Sequence, residues 1–235
     1  MYNELKSEIE SLKDEKKARI LQWFFKTGKW QYWEWDIFYG IMVPDSRKIV
    51  RKYYKLLSFA EIKMLMNSKI HEERLIWALI LVERFEKWDE NIKKEIFNFY
   101  MENLYWINNW DLVDLSAPKI VWLYLKDKSI KKREILFKLI LSPILWERRV
   151  GVLATFAFIR NMEFGPTLQM CELLMNDKHD LMHKATWWML REIWKKDEQT
   201  LKKFLDENFH KMPRTMLRYA IERLDPESKS KYMKK

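Results

Sequence analysis

Apolar residues recur at i, i+3, i+4 and i+7 along almost the whole chain, and the period-two alternation of strands is missing. A chain written in that single period buries its apolar faces by packing helix on helix, so the expected class is all-α. Glycine and proline are scarce, at 4 and 6 of 235 residues. Pro44, Pro143, Pro166, Pro213 and Pro226 stand at or near first helical turns, where the missing N–H costs nothing. The spacing predicts helices near 2–26, 45–56, 58–66, 71–86, 89–103, 108–126, 130–140, 143–158, 165–175, 179–195, 197–209 and 213–223, with a break at Pro118. No linker rich in Gly or Ser divides the chain, and a single domain over 1–235 is expected.

The helices carry a faint internal repeat. Segment 68–79 (SKIHEERLIWAL) is similar to 142–153 (SPILWERRVGVL), and 177–188 (DKHDLMHKATWW) is a weaker third copy. Offsets of 74 and 35 residues fit a unit of about 35–40 residues, the length of a helix pair that stacks into a solenoid with a concave face. Lys and Arg outnumber Asp and Glu by 44 to 34, a net charge of +10. That surplus points to an anionic partner, nucleic acid before a membrane surface, with an incidentally basic protein as the plain alternative. Cys171 is the only cysteine, which excludes an intrachain disulfide and a cysteine zinc cluster. The first twenty residues are charged and helical in period, and no run approaches about 18 apolar residues, so a cytoplasmic protein is expected.

Candidate chemistry centres on 108–118 (NNWDLVDLSAP). Trp110 and Asp114 are four residues apart and share a helix face. Arg149 follows Trp110 by 39 residues and Trp188 follows Arg149 by 39 more, matching the repeat. Equivalent helices would then present an aromatic, carboxylate and guanidinium set on a basic concave wall. Each member also has a bland reading. Tryptophan on an amphipathic helix is usually core. Asp114 can be a solvated carboxylate, and Asp111 a helix cap. Arg214 and Arg218 make a phosphate-binding stripe or a solvated face. His179 and His183 have the spacing of a metal pair without a third ligand, and no metal site is expected. Ser116 and Cys171 have no neighbouring base in sequence, and glycine motifs for phosphate are absent.

At these residues the chain resembles the AlkD family of HEAT-like-repeat alkylpurine DNA glycosylases over roughly 15–235. The anchors are 40–47 (GIMVPDSR), 109–114 (NWDLVD), 145–149 (LWERR), 184–192 (KATWWMLRE) and 212–218 (MPRTMLR). The resemblance implies a cofactor-free, monomeric enzyme acting on double-stranded DNA containing alkylated bases, nucleoid-associated when bound. Trp110 and Trp188 would be cleft tryptophans, Asp114 the catalytic carboxylate, and Arg149 a backbone partner, with adjacent Arg148 the other candidate. Arg148, Lys184, Lys211, Arg214 and Arg218 would contact DNA. The family leaves its lesion stacked rather than flipped into a pocket.

Thirteen tryptophans against four glycines is an inverted ratio. Trp30, Trp33 and Trp35 fall in a polar loop, Trp88 and Trp194 fall at helix junctions where a C-terminal glycine is usual, and Trp77 aligns with Gly151. Resembled proteins commonly have glycine at positions matching Trp30, Trp33, Trp35, Trp88, Trp122, Trp187 and Trp194. Our hypothesis is that these are glycine codons translated as tryptophan, as where UGA encodes glycine; deliberate substitution and genuine divergence are the alternatives. Left-handed caps filled by indoles would be strained by about 1 kcal/mol or more each.

Overall fold

The computed structural model describes residues 1–29, 34 and 36–234, so Trp30, Trp33 and Trp35 lie outside the described residues. The chain is all-α. Its helices are α1 (Tyr2–Ser11), α2 (Glu15–Phe24), α3 (Val43–Tyr53), α4 (Phe59–Met66), α5 (His71–Lys87), α6 (Glu90–Glu102), α7 (Trp110–Leu125), α8 (Ile130–Ile140), α9 (Leu145–Leu153), α10 (Phe156–Arg160), α11 (Gly165–Leu173), α12 (Asp180–Trp194), α13 (Glu198–Asn208), α14 (Arg214–Ala220) and α15 (Pro226–Met233). A 3-10 turn, Leu104–Trp106, precedes α7. The one strand-like pairing among the described residues is a parallel bridge between Ile37 and Ile70. No helix among them is long and apolar enough to cross a membrane.

Four expectations need correction. The helix expected over 2–26 is two helices, because Asp14 turns extended and accepts from the Lys17 N–H at 3.0 Å, capping α2. The helix expected over 143–158 divides into α9 and α10. The break expected at Pro118 is not there: α7 runs through it, although proline supplies no N–H to the carbonyl four residues back, that of Asp114. The Asp225–Pro226 start signal opens α15, beyond the last helix expected, with Asp225 accepting from the Ser228 N–H.

Two compact units, Met1–Ile120 and Val121–Lys235, are divided within α7. In the first unit α5 is the core element, packed against α3, α4 and α6. Nearly every α5 residue is buried, including the charged first turn His71, Glu72, Glu73 and Arg74. Buried charge survives only when paired, and each of these has a partner. The Glu72 carboxylate accepts from the N–H groups of Tyr39, Gly40 and Ile41 at 2.8–3.2 Å. Glu73 pairs with Lys6, and Arg74 with Asp36. At the other end Arg84 donates to the carbonyls of Tyr54 and Leu57, capping the chain after α3. Gly40 sits at φ +86, and a Cβ there would meet the Asp14 carbonyl at 2.2 Å, so the loop that Glu72 holds requires glycine.

The Glu72 clamp makes a direct prediction. Glu72→Ala strands three backbone donors at about 1–3 kcal/mol each, so stability should fall by about 3 kcal/mol or more. Urea unfolding is the check; a loss below about 1 kcal/mol would show that water replaces the carboxylate.

In the second unit α12 takes the central role, packing on α9, α10, α11, α13 and α14. Gly151 lets α9 approach α8: a Cβ there would meet Ile140 Cγ2 at 2.8 Å and the Leu136 carbonyl at 3.0 Å.

The sequence repeat is a repeat of structure. All three copies open a helix, α5, α9 and α12, and all three use the same turn. Ser68 Oγ accepts from the Ile70 N–H, Ser142 Oγ from Ile144, and Asp177 Oδ1 from His179, at 3.0, 3.0 and 2.9 Å. Arg74 then donates to the Ser68 carbonyl at 2.8 Å, and Arg148, its counterpart, to the Ser142 carbonyl at 2.9 Å.

No described tryptophan has positive φ, so the strained left-handed caps expected at Trp88 and Trp194 do not occur. Trp88 ends α5 extended, at φ −109 and ψ 170, and Trp194 is the last residue of α12. The burden of these side chains falls elsewhere. Trp77, Trp122, Trp187 and Trp194 each bury an indole N–H without an acceptor. Among the described residues no other tryptophan does so, and all four are sites suspected from sequence.

Candidate functional site

In the first unit Trp110 and Asp114 occupy the first turns of α7, both half-buried. The Trp110 ring stacks on Phe25 at 5.1 Å and 15°, and meets the edge of Phe24 at 6.0 Å. Two residues on from Asp114, Ser116 Oγ lies 2.7 Å from the buried Tyr100 hydroxyl and itself donates to the Leu112 carbonyl. Burial pushes the Tyr100 hydroxyl well above its usual range, and the nearby Asp114 charge pushes it further. Tyr100 is therefore a neutral donor at any ordinary pH.

Asp111, expected as a possible cap, is not one: it lies inside α7 as its second residue, and Asn109 is the residue before the helix. Asp111 Oδ1 accepts from the Leu112 N–H at 2.8 Å and its Oδ2 meets His71 Nε2 at 2.8 Å. Sequence reasoning did not find His71. The available signal was a histidine at a repeat position filled by Leu145 and Asp180 in the other copies.

In the second unit Arg149 is 5% exposed and donates to the Leu181 carbonyl at 2.7 Å. Arg148 spends its guanidinium within the fold, on Asp177 at 2.7 Å and on the Ser142 and Pro143 carbonyls at 2.9 Å. Trp188 is half-buried on α12, its N–H donating to Glu192 at 3.1 Å and its ring 6.3 Å from Phe156. Its neighbour Trp187 turns elsewhere, onto Tyr219 at 4.7 Å. Lys184 is exposed and reaches Asp180 at 3.2 Å. Lys211 and Arg214 are exposed around the start of α14, and Arg218 is exposed in its last turn. His179 and His183 gain no third ligand; no metal-holding group of three His, Cys, Asp or Glu occurs among the described residues.

A search of curated proteins returned no match. A solved structure described as a predicted DNA alkylation repair enzyme from Enterococcus faecalis is similar to this chain with a TM-score of 0.71. It is 13% identical, and the likeness covers 91% of this chain and 97% of that one. The family model for the DNA alkylation repair enzyme matches residues 5–224. Nearly the whole chain is matched, and the protein belongs to the DNA alkylation repair enzyme family.

Proposed function

We propose that the protein is a DNA glycosylase that hydrolyses the N-glycosidic bond of cationic N3- or N7-alkylated purines in duplex DNA. The observation that carries this reading is the Trp110–Asp114 pair, an aromatic face and a carboxylate held half-exposed on one rigid helical turn. An alkylated purine already bears positive charge, so it leaves as a neutral base with the bonding electron pair. Positive charge then develops on the deoxyribose, and the fixed Asp114 carboxylate stabilises it. Water adds to the anomeric carbon and loses its proton to Asp114 or to solvent, leaving an abasic site. The indole face of Trp110 attracts the cation by about 0.5–2 kcal/mol.

Of the two adjacent arginines, the site role goes to Arg149. Arg148 repeats the bond of Arg74 to the carbonyl of its own turn, whereas Arg149, 5% exposed and bonded to the Leu181 carbonyl, would act on the backbone from a buried position. The counterpart of Arg149 is the core residue Leu75, so the repeat does not demand an arginine there. Lys184, Lys211, Arg214 and Arg218 are the proposed phosphate contacts, and the protein acts as a monomer without cofactor.

The test is release of free N7-methylguanine from methylated duplex DNA. Release with formation of an abasic site supports the glycosylase, whereas binding without release reduces the chain to a DNA-binding module. Four phosphate contacts predict that log K falls against log salt with a slope of about −3 to −4. A flat salt response in a binding titration would instead indicate a scaffold for proteins.

A further inference from the structure

The first turn of α5 builds a device that the proposed chemistry does not itself explain. His71 is 1% exposed, yet both ring nitrogens face carboxylates: Nδ1 lies 3.1 Å from Asp36 and Nε2 lies 2.8 Å from Asp111. Arg74 holds the other oxygen of Asp36. Arg74 and the imidazole thus face two carboxylates, a set that is neutral when His71 is protonated, drawn from the segment before α3, from α5 and from α7. The same ring packs against Phe38, stacked at 4.5 Å, and against Phe25 at 5.2 Å, two rings that also stack on each other at 5.0 Å. Phe25 continues under Trp110. His71 therefore reaches the candidate site twice, through Asp111, which adjoins Trp110 in the chain, and through the Phe25 ring.

The repeat shows that this is not a demand of the fold. Copies two and three build the same turn with Leu145 and Asp180 at the corresponding position.

We propose that His71 is a positioning residue for the Trp110–Asp114 pair, clamped between Asp36 and Asp111 so that it fixes the rotation of the first turn of α7. The proposal rests on the reading of that pair as the reactive site. Without the clamp, Asp111 becomes a buried anion without its cation at 2.8 Å, and α7 must turn or shift to rehydrate it.

A pH signature follows. Burial by itself lowers the imidazole pKa, but the charges and hydrogen bonds of Asp111 and then Asp36 outweigh it and raise His71 to about 9. The other groups around the ring are Arg74 on the same helix, the amide of Asn109 at 3.5 Å, and the two phenylalanines. A pKa raised above its unfolded value gives stability that is complete below about 6.5 and lost as pH rises through about 9. The clamp holds at neutral pH and opens in alkali.

The experiment follows the full-length chain and His71→Gln in parallel. Histidine-labelled NMR of the unaltered protein should show one imidazole titrating near pH 9. Amide exchange at 112–115 should quicken at least tenfold in His71→Gln, while α4 and α6 keep their protection. Single-turnover base release should fall about tenfold at unchanged DNA affinity, and the loss of rate above pH 9 should vanish in the variant. Should His71→Gln fail to fold, the unaltered protein decides alone: protection at 112–115, referred to the intrinsic exchange rate at each pH, must fall as the imidazole titrates. Unchanged exchange at 112–115, or a shared alkaline limb, would overturn the proposal. If the unaltered protein releases no base, the glycosylase reading fails, and the exchange and titration results still judge the clamp.

Discussion

Asp114→Asn is expected to slow release of methylated base roughly 100- to 1,000-fold, the usual scale for removing one preorganised electrostatic partner of a transition state. The substitution keeps the shape of the side chain and removes its charge. Asn can still accept a hydrogen bond. What it cannot do is balance the cation that develops as the purine departs. DNA affinity should hold steady or rise, since one negative charge near an anionic ligand is gone. That combination, a large rate loss without weaker binding, separates catalysis from attachment. Single-turnover kinetics with a parallel binding titration measure both. Undiminished release would mean that another group carries the charge.

The second large effect concerns the tryptophans. Ordinary core physics says that replacing fully buried Trp77 with glycine costs about 3–5 kcal/mol for the cavity and about 1 more for glycine inside a helix. The glycine-codon hypothesis says the reverse. Trp77, Trp122, Trp187 and Trp194 each bury a donor without an acceptor, at about 1–3 kcal/mol apiece. With glycine there, neighbouring helices would close as α8 and α9 do at Gly151. Restoring glycine at Trp77, Trp88, Trp122, Trp187 and Trp194, with Trp30, Trp33 and Trp35, should then raise Tm by about 10 °C or more. A fall in Tm rejects the hypothesis. The gene offers a second check: UGA at these sites with UGG at Trp110 and Trp188 agrees with it, and UGG throughout does not.

The helical class was legible because a single period ran through the chain, and the repeat was legible because its turn uses a short oxygen-bearing residue, Ser68, Ser142 or Asp177, in each copy. The division between α1 and α2 was hidden in a run of charges, 13–17 (KDEKK), where Asp14 looks like any other solvated residue. Pro118 misled in the other direction, since the packing of α7 outweighs one missing hydrogen bond. The polar first turn of α5 reads as a solvent-facing helix start. It is buried because its partners Lys6, Asp36, the 39–41 loop and Asp111 come from elsewhere in the chain. Trp110 and Asp114 could be singled out by spacing, but their support from Phe25, His71 and Tyr100 could not, because it is built entirely from distant segments. The carbonyl bond that Arg148 shares with Arg74 exists only in three dimensions, and no spacing in the sequence separates Arg148 from Arg149.

The most direct measurement is release of free methylated base from methylated duplex DNA by three proteins side by side. They are the chain as it stands, the chain with glycine restored at the suspect tryptophans, and the restored chain carrying Asp114→Asn. Release by the first or second protein, and its loss in the third, is the expected result. If all three remain folded and bind DNA while none releases base, the glycosylase reading is contradicted.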